Sequence, residues 1–304
     1  MARPLVSVVV PVRRTHLAYL EACLASVSTQ TAVESCELVV VDHDSGRSYA
    51  KGLDRVLSRF DRVVALHRVT LPRPSWPGGA RAAGFEASTG RYVHFLDSDD
   101  LLEPETVERV TPLLQTGCAL AFTDEARVSA NAQKVISVRD KRAYAALLRE
   151  HAGTPFDPLV HATFVVHGQF VRRVELQAIG GPRTDVEYGD EMDTPIRIAE
   201  VAGPEGLVHV PETLYLYRRN PRSVVHQPDE WKLIVRCNER IVLEGAQRRG
   251  IDVARAVRLG RAKPFDITHY ALFDASGRQL RAPYVDYDEL SLRWPAPTEA
   301  DAAS

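Results

Sequence analysis

Residues 5–12 (LVSVVVPV) and 38–41 (LVVV) are apolar at nearly every position rather than at alternate ones. A strand that reads this way is buried on both faces, which happens almost only in parallel sheets covered by helices. Between these runs Leu17, Leu20, Leu24 and Val27 recur at helical spacing, and Leu53, Val56, Leu57 and Phe60 share one helix face after the second. Residues 62–69 and 91–96 predict a third and a fourth strand. This order predicts an α/β protein with a Rossmann-like, mostly parallel central sheet flanked by helices. In such sheets ligands sit outside the carboxyl ends of the strands. Those ends carry Pro11, Asp42 and Asp97, so topology alone predicts that they converge on one polar site.

Beyond residue 100 the alternation loosens. Helices are predicted over residues 104–115 and 141–150, strands over 119–123 and 135–138, and a turn at Gly180-Gly181-Pro182. The longest helix spans residues 229–249, with Gly250 as its C-terminal stop. A hairpin is expected around Asp274-Ala275-Ser276-Gly277, and disorder over the last ten residues, PAPTEADAAS. The chain thus divides into residues 1–105, 106–227 and a C-terminal helical and hairpin extension, 228–304. Its 304 residues, 45% of them hydrophobic, suffice for one large domain or two modest ones. Lys+Arg number 38 against 40 Asp+Glu, and without a basic excess nucleic acid is not the expected partner. Cys23, Cys36, Cys118 and Cys237 lack metal or disulfide spacing and read as reduced, buried thiols. The N-terminal apolar run is shorter than the ~20 residues of a membrane span and lacks a signal-peptide pattern, so a cytoplasmic protein with no membrane span is expected.

The fourth predicted strand runs into RYVHFLDSDD, residues 91–100, where three carboxylates fall within four positions. Burying them unpaired would cost several kcal/mol each. Asp97 and Asp99, two apart on a turn leaving a strand, can reach one hard divalent cation. Mg²⁺ or Mn²⁺ takes oxygen ligands and keeps positions open for phosphate oxygens. The plainer reading is a solvated acidic turn capping the next helix; the buried strand before it and Asp42 at a second strand end favour the cation.

Taken together, SVVVPVRRTHLAYLEACLASVSTQ, ELVVVDHDSG and GGARAAGFEASTGRYVHFLDSDDLLEPE resemble the family-two nucleotide-sugar glycosyltransferases with the GT-A fold. The likeness is strong over residues 6–105 and weaker to about residue 226. It implies an inverting, metal-dependent transfer from a nucleoside-diphosphate sugar, UDP-sugar favoured, to a hydroxyl or amine on a small-molecule or glycan acceptor. By that resemblance Pro11 and Val12 line the base pocket through backbone atoms, and Asp42 accepts hydrogen bonds from the base. Arg81 reaches the nucleotide or diphosphate, Asp97 with Ser98 meets ribose or metal, and Asp99 is the main ligand of Mn²⁺ or Mg²⁺. The chain departs from the family pattern at Val12-Arg13-Arg14, where an aromatic and Asn are common. It departs again at Asp42-His43-Asp44-Ser45 and at Ala82, which leaves the base and the donor sugar open.

In Tyr188-Gly189-Asp190-Glu191-Met192-Asp193, the acidic pair matches the position where the family carries its catalytic base. Asp190 and Glu191 are the catalytic candidates, with Glu191 at the base position and Asp193 and Arg197 in step. The plain alternative is helix N-terminal charge favouring the dipole. An inverting transfer needs one carboxylate to take the acceptor proton and cationic groups to stabilise the leaving diphosphate. In Tyr215-Leu216-Tyr217-Arg218-Arg219-Asn220-Pro221-Arg222-Ser223-Val224-Val225-His226, the resemblance implies that Arg222, Ser223 or His226 touches phosphate, with His226 a candidate metal ligand. His161 and His167 fall in the expected acceptor region, Trp76 could stack on a sugar, and Trp231 reads as helix core with Val235 and Val242. Two other functions compete: a sugar-phosphate nucleotidyltransferase, which lacks its Gly-rich signature here, and a non-catalytic nucleotide-binding module. The tail after Val253 covers the acceptor or forms a homodimer contact; the residues do not choose.

Overall fold

A computed structural model describes residues 3–43, 45–60, 65–73, 75–163, 165–262 and 267–287. β1 (Val6–Val12) and β2 (Cys36–Asp42) are buried at every position, as their unbroken apolar runs require. α1 (Leu17–Ser28) follows β1 and buries Leu20, Cys23, Leu24 and Val27; α2 (Gly46–Leu57) buries Leu53, Val56 and Leu57. β3 (Ala65–Thr70) is next; residues 62–64, expected to begin it, lie outside the described residues. Before β4 (Tyr92–Phe95) the chain forms α3 (Pro77–Ala87), which spacing did not predict, because its glycines and alanines show no apolar stripe. Gly84 is what lets α3 lie close: a Cβ there would overlap Val9 of β1 and Val41 of β2. That contact sets Arg81, one turn earlier, at the strand ends.

Then come β5 (Leu101–Leu102), α4 (Thr106–Gln115), β6 (Leu120–Val128), β7 (Val135–Arg139), α5 (Arg142–His151), α6 (Pro158–His161) and β8 (Ala162–Thr163). β9 (Gln169–Arg172), α7 (Arg173–Ala178), α8 (Asp190–Ala202), β10 (Leu207–Arg218) and α9 (Pro228–Arg248) complete the main body. The large sheet runs β3-β2-β1-β4-β9-β6-β10-β5, with β7 beside β6. The pairs β3–β2, β2–β1 and β1–β4 are parallel, while β9 inserts antiparallel to both β4 and β6. Side chains alternate faces along each strand. Val9, Val39 and Val41 pack on one side with α8 and α9; Val8, Val10, Leu38 and Val40 pack on the other with α1, α2 and α4.

The C-terminal extension is a second sheet of β11 (Arg255–Ala262), β12 (Ile267–Phe273) and β13 (Gln279–Leu280), with β8 paired to β12. The predicted turn is present, the Gly277 N–H donating to the Asp274 carbonyl at 2.9 Å. Gly250 follows α9 with φ +72°, as a C-terminal stop should. The last ten residues lie outside the described part. All four cysteines are free and buried, and no described helix is long and apolar enough to cross a membrane.

His94 and His161 are fully buried, and burial pushes both imidazoles down to about 4. Each donates from Nδ1 to a carbonyl, Gln169 at 2.7 Å and Asp157 at 3.2 Å. A histidine with a depressed folded-state pKa contributes stability above its unfolded value of about 6.5, and loses it as pH falls toward 4. Unfolding free energy is therefore expected to drop by roughly 3 kcal/mol per histidine across that window. Urea titrations between pH 7 and 4 should show the slope, and His161→Gln should flatten it.

Candidate active site

The carboxyl ends of β1, β2 and β4 open onto a cavity of about 770 Å³ whose lining includes Pro11, His43, Arg81, Asp97, Ser98, Asp99, Glu191 and Arg222. Topology predicted this convergence. Val12 and Asp42 are buried beside the cavity without lining it. Asp42 Oδ2 accepts from Arg68 Nη2 at 3.2 Å, while its buried Oδ1 has no hydrogen-bond partner among the described residues. Asp44 lies outside those residues.

Arg81 is the centre of the charge arrangement. It is 5% exposed and donates from Nη1 to Asp190 Oδ1 at 2.7 Å and Glu191 Oε2 at 2.6 Å, and from Nη2 to Asp97 Oδ1 at 2.7 Å. One guanidinium thus ties the turn after β4 to the start of α8. The resemblance gave Arg81 a role at the nucleotide; here its two terminal nitrogens are spent on three carboxylates, which it positions. Burial works against the Asp97 carboxylate, yet Arg81 and His167 hold its pKa below the usual range. Burial also raises Asp190, to about 7, against the pull of Arg81 and with repulsion from Glu191. The Asp190 side chain is 2% exposed and that of Glu191 is 30%. Both line the cavity, and Glu191 offers by far the larger surface to a ligand.

Gly189 begins α8 at φ +87°, a conformation that suits glycine, and a Cβ there would overlap Asn238 and Ile241 of α9. The turn therefore seats α8 against α9 while pointing its first residues at Arg81. Asp193 and Arg197, expected in step, form an ion pair that continues to the Ile179 and Gly181 carbonyls. They hold α8 in place and do not line the cavity.

The three aspartates after β4 separate in role. Asp100 is 1% exposed and accepts from the Tyr215 hydroxyl at 2.6 Å and the Arg218 N–H at 2.7 Å. It fastens the turn to β10 and does not line the cavity. Burial, then Asp99 and Asp97, push its carboxyl well up. Asp99 faces the cavity and accepts from Asn220 Nδ2 at 2.7 Å. Ser98 shares a hydrogen bond of 2.6 Å with Thr15. Ligand atoms of Asp97, Asp100 and His167 lie within 4.8 Å of one another. These oxygen and imidazole donors suit Mg²⁺ or Mn²⁺. Those three are the donors the fold gathers among the described residues, while Asp99 faces the cavity outside that group. His167 was named only for the acceptor region; its separation from Asp97 by 70 residues of sequence hid this proximity.

His226 is a correction. It sits exposed in a turn of 3-10 helix and does not line the cavity, whereas Arg222 and Ser223 of the same loop do. His161 is buried in α6 and is likewise absent from the lining. Trp76 is exposed and meets Tyr188 edge-on, centroids 5.5 Å apart. Trp231 is not helix core: it is 37% exposed, lines the cavity and carries the Arg258 guanidinium over its ring.

Residues 7–177, more than half of the chain, match the family described as Glycosyl transferase family 2. The chain belongs to that family. Among curated relatives, the O-antigen biosynthesis protein RfbC of Myxococcus xanthus is 28% identical over 257 residues, covering 82% of this chain and 18% of RfbC. The uncharacterized glycosyltransferase EpsJ of Bacillus subtilis is 23% identical over 233 residues, covering 74% of this chain and 64% of EpsJ. The chain thus spans less than two thirds of either relative. Among solved structures, S. aureus TarS 1-349 superimposes with a TM-score of 0.57 at 17% identity, covering 78% of this chain and 65% of that one. The mannosyltransferase PcManGT from Pyrobaculum calidifontis, in complex with GDP-Man and Mn²⁺, gives 0.58 at 20% identity, covering 82% and 65%. At these identities the likeness shows the fold, the GT-A arrangement of this family.

Proposed function

We propose that the chain moves a sugar, with inversion, from a nucleoside-diphosphate donor, UDP-sugar favoured, to a hydroxyl or amine acceptor in the bacterial cytoplasm. The observation that carries the reading is the Arg81 clamp. It holds Asp97, at the nucleotide end of the sheet, and Glu191, at the helix facing it, on one guanidinium. Such a clamp would fix donor and acceptor chemistry relative to each other before substrate arrives. Residues 1–105 would hold the nucleotide, with Pro11 at the cavity wall and Asp42 buried beside it. Residues 106–227 would supply the base and acceptor wall, which α9 and the second sheet extend.

Glu191 would take the proton of the acceptor as that group attacks the anomeric carbon. Asp190, buried behind it, would keep Arg81 in place. Asp97 and Asp99 would hold Mn²⁺ or Mg²⁺, which would supply neutralising charge to the leaving diphosphate, and His167 lies within reach of Asp97. Arg222, exposed at the cavity rim, would meet the same phosphates. The nucleotidyltransferase alternative falls with membership of the glycosyltransferase family.

The experiment is a transfer and donor-hydrolysis assay with UDP- and GDP-sugars in the presence of Mn²⁺. Asp99→Ala is expected to lower turnover by roughly 10²-fold or more and to remove the gain in nucleotide affinity that metal confers. Chelation of wild type should give the same loss. Turnover by Asp99→Ala at the wild-type rate would sink the ligand assignment.

A further inference from the structure

The cavity has an end that the donor chemistry leaves unused. Trp231 of α9, Arg258 of β11 and Tyr270 of β12 line it beside Tyr188 and Glu191. The Arg258 guanidinium lies 4.8 Å from the Trp231 ring centroid. Arg258 lines the cavity, and the only carboxylate among the described residues that acts on it is that of Glu239, through space. Glu239 itself accepts from the Arg258 backbone N–H at 2.7 Å. The contrast inside one cavity is sharp: Arg81 holds three carboxylates and Arg139 meets Glu125 at 2.8 Å. Burial lowers the pKa of this half-buried cation, and the through-space pull of Tyr270 and Glu239 offsets only part of that desolvation cost.

A chain of contacts ties this cation to the neighbour of the candidate base. Arg258 pairs across β11 and β12 with Tyr270, whose hydroxyl is 2.9 Å from Thr163 Oγ1. Thr163 in turn donates to Met192 Sδ at 3.2 Å, and Met192 follows Glu191. Asn238 of α9 packs on Gly189, two residues before Glu191.

We propose that this end is an anion subsite for the acceptor. Arg258, flattened on Trp231, takes a carboxylate or phosphate of the acceptor while Glu191 faces the attacking group. A guanidinium is suited to this because its parallel N–H groups match both anions in a fork. The ring beneath orients the guanidinium and keeps water from one face. The inference rests on the transferase reading for the identity of the ligand as acceptor, though not for the existence of the anion site.

The test separates the two. Full-length protein saturated with UDP and Mn²⁺, and the same protein without nucleotide, is titrated calorimetrically with a neutral methyl glucoside, the methyl glucuronide and glucose 6-phosphate. Either anionic probe is expected to bind at least roughly tenfold more tightly than the neutral glycoside. Arg258→Gln should bring that probe to the neutral level, while Arg258→Lys keeps part of the preference. Unchanged UDP affinity in both variants reports an intact fold. Preference for the glucuronide assigns a sugar acid, and preference for the phosphate assigns a phosphorylated acceptor. Equal binding of all three probes, no binding of either anion, or a preference that survives Arg258→Gln overturns the proposal. Arg258-dependent anion binding in a protein that binds no nucleotide keeps the subsite and removes the transferase reading.

Discussion

Glu191→Gln is expected to lower kcat by roughly 10²–10⁴-fold while leaving nucleotide affinity within about twofold of wild type. The glutamine amide is nearly isosteric, and its oxygen can still accept from Arg81 Nη1, where Glu191 Oε2 sits at 2.6 Å. What it cannot do is take a proton. Asp190 cannot substitute, because its side chain is 2% exposed and one oxygen is already held by Arg81. Steady-state rates at saturating donor and acceptor, with a parallel nucleotide titration, give the two readouts. Full turnover by Glu191→Gln would place the base elsewhere.

The second large effect is on the fold around the site. Arg81→Met removes the cation that Asp97, Asp190 and Glu191 share, and leaves a buried carboxylate without that partner. Removing one member of a buried ionic group costs about 3–5 kcal/mol, so the urea midpoint should fall far below that of wild type. Arg81→Lys should recover only part, since a single ammonium cannot reach three carboxylates in a fork. The pH dependence has a definite sign. Asp190 has a folded-state pKa of about 7, raised by burial even with Arg81 present. The folded state therefore binds a proton that the unfolded state has released, and this group's contribution falls as pH rises from about 4 toward 7. Without Arg81 the pKa moves higher still. The stability deficit of Arg81→Met should thus be larger at pH 8 than at pH 5, as urea unfolding at the two values would show.

The first hundred residues were legible because their signals are local. The valine runs gave β1 and β2, helical spacing gave α1 and α2, and the strand ends gave Pro11, Asp42 and Asp97. α3 was not legible, since a helix of glycine and alanine has no apolar stripe, yet it carries Arg81. The acidic triplet could be seen in sequence but not divided. Only the fold shows Asp100 turned to Tyr215 and Arg218 while Asp99 faces the cavity. His167, Trp231 and Arg258 reach the site through pairings between distant segments, β9 with β4 and β6 and α9 with β11, for which a single sequence carries no signal. His226 failed for the opposite reason: its segment matched the family pattern, but its turn leaves the ring in solvent.

The most direct measurement of the central claim is calorimetric titration of UDP, GDP and dTDP into the protein, each with and without Mn²⁺. The account predicts that one nucleotide binds in the presence of metal, that chelation weakens it by at least roughly tenfold, and that Asp99→Ala does the same. If no nucleotide binds with metal present, the carboxylates after β4 are an acidic turn, and the proposed transfer chemistry has no donor site.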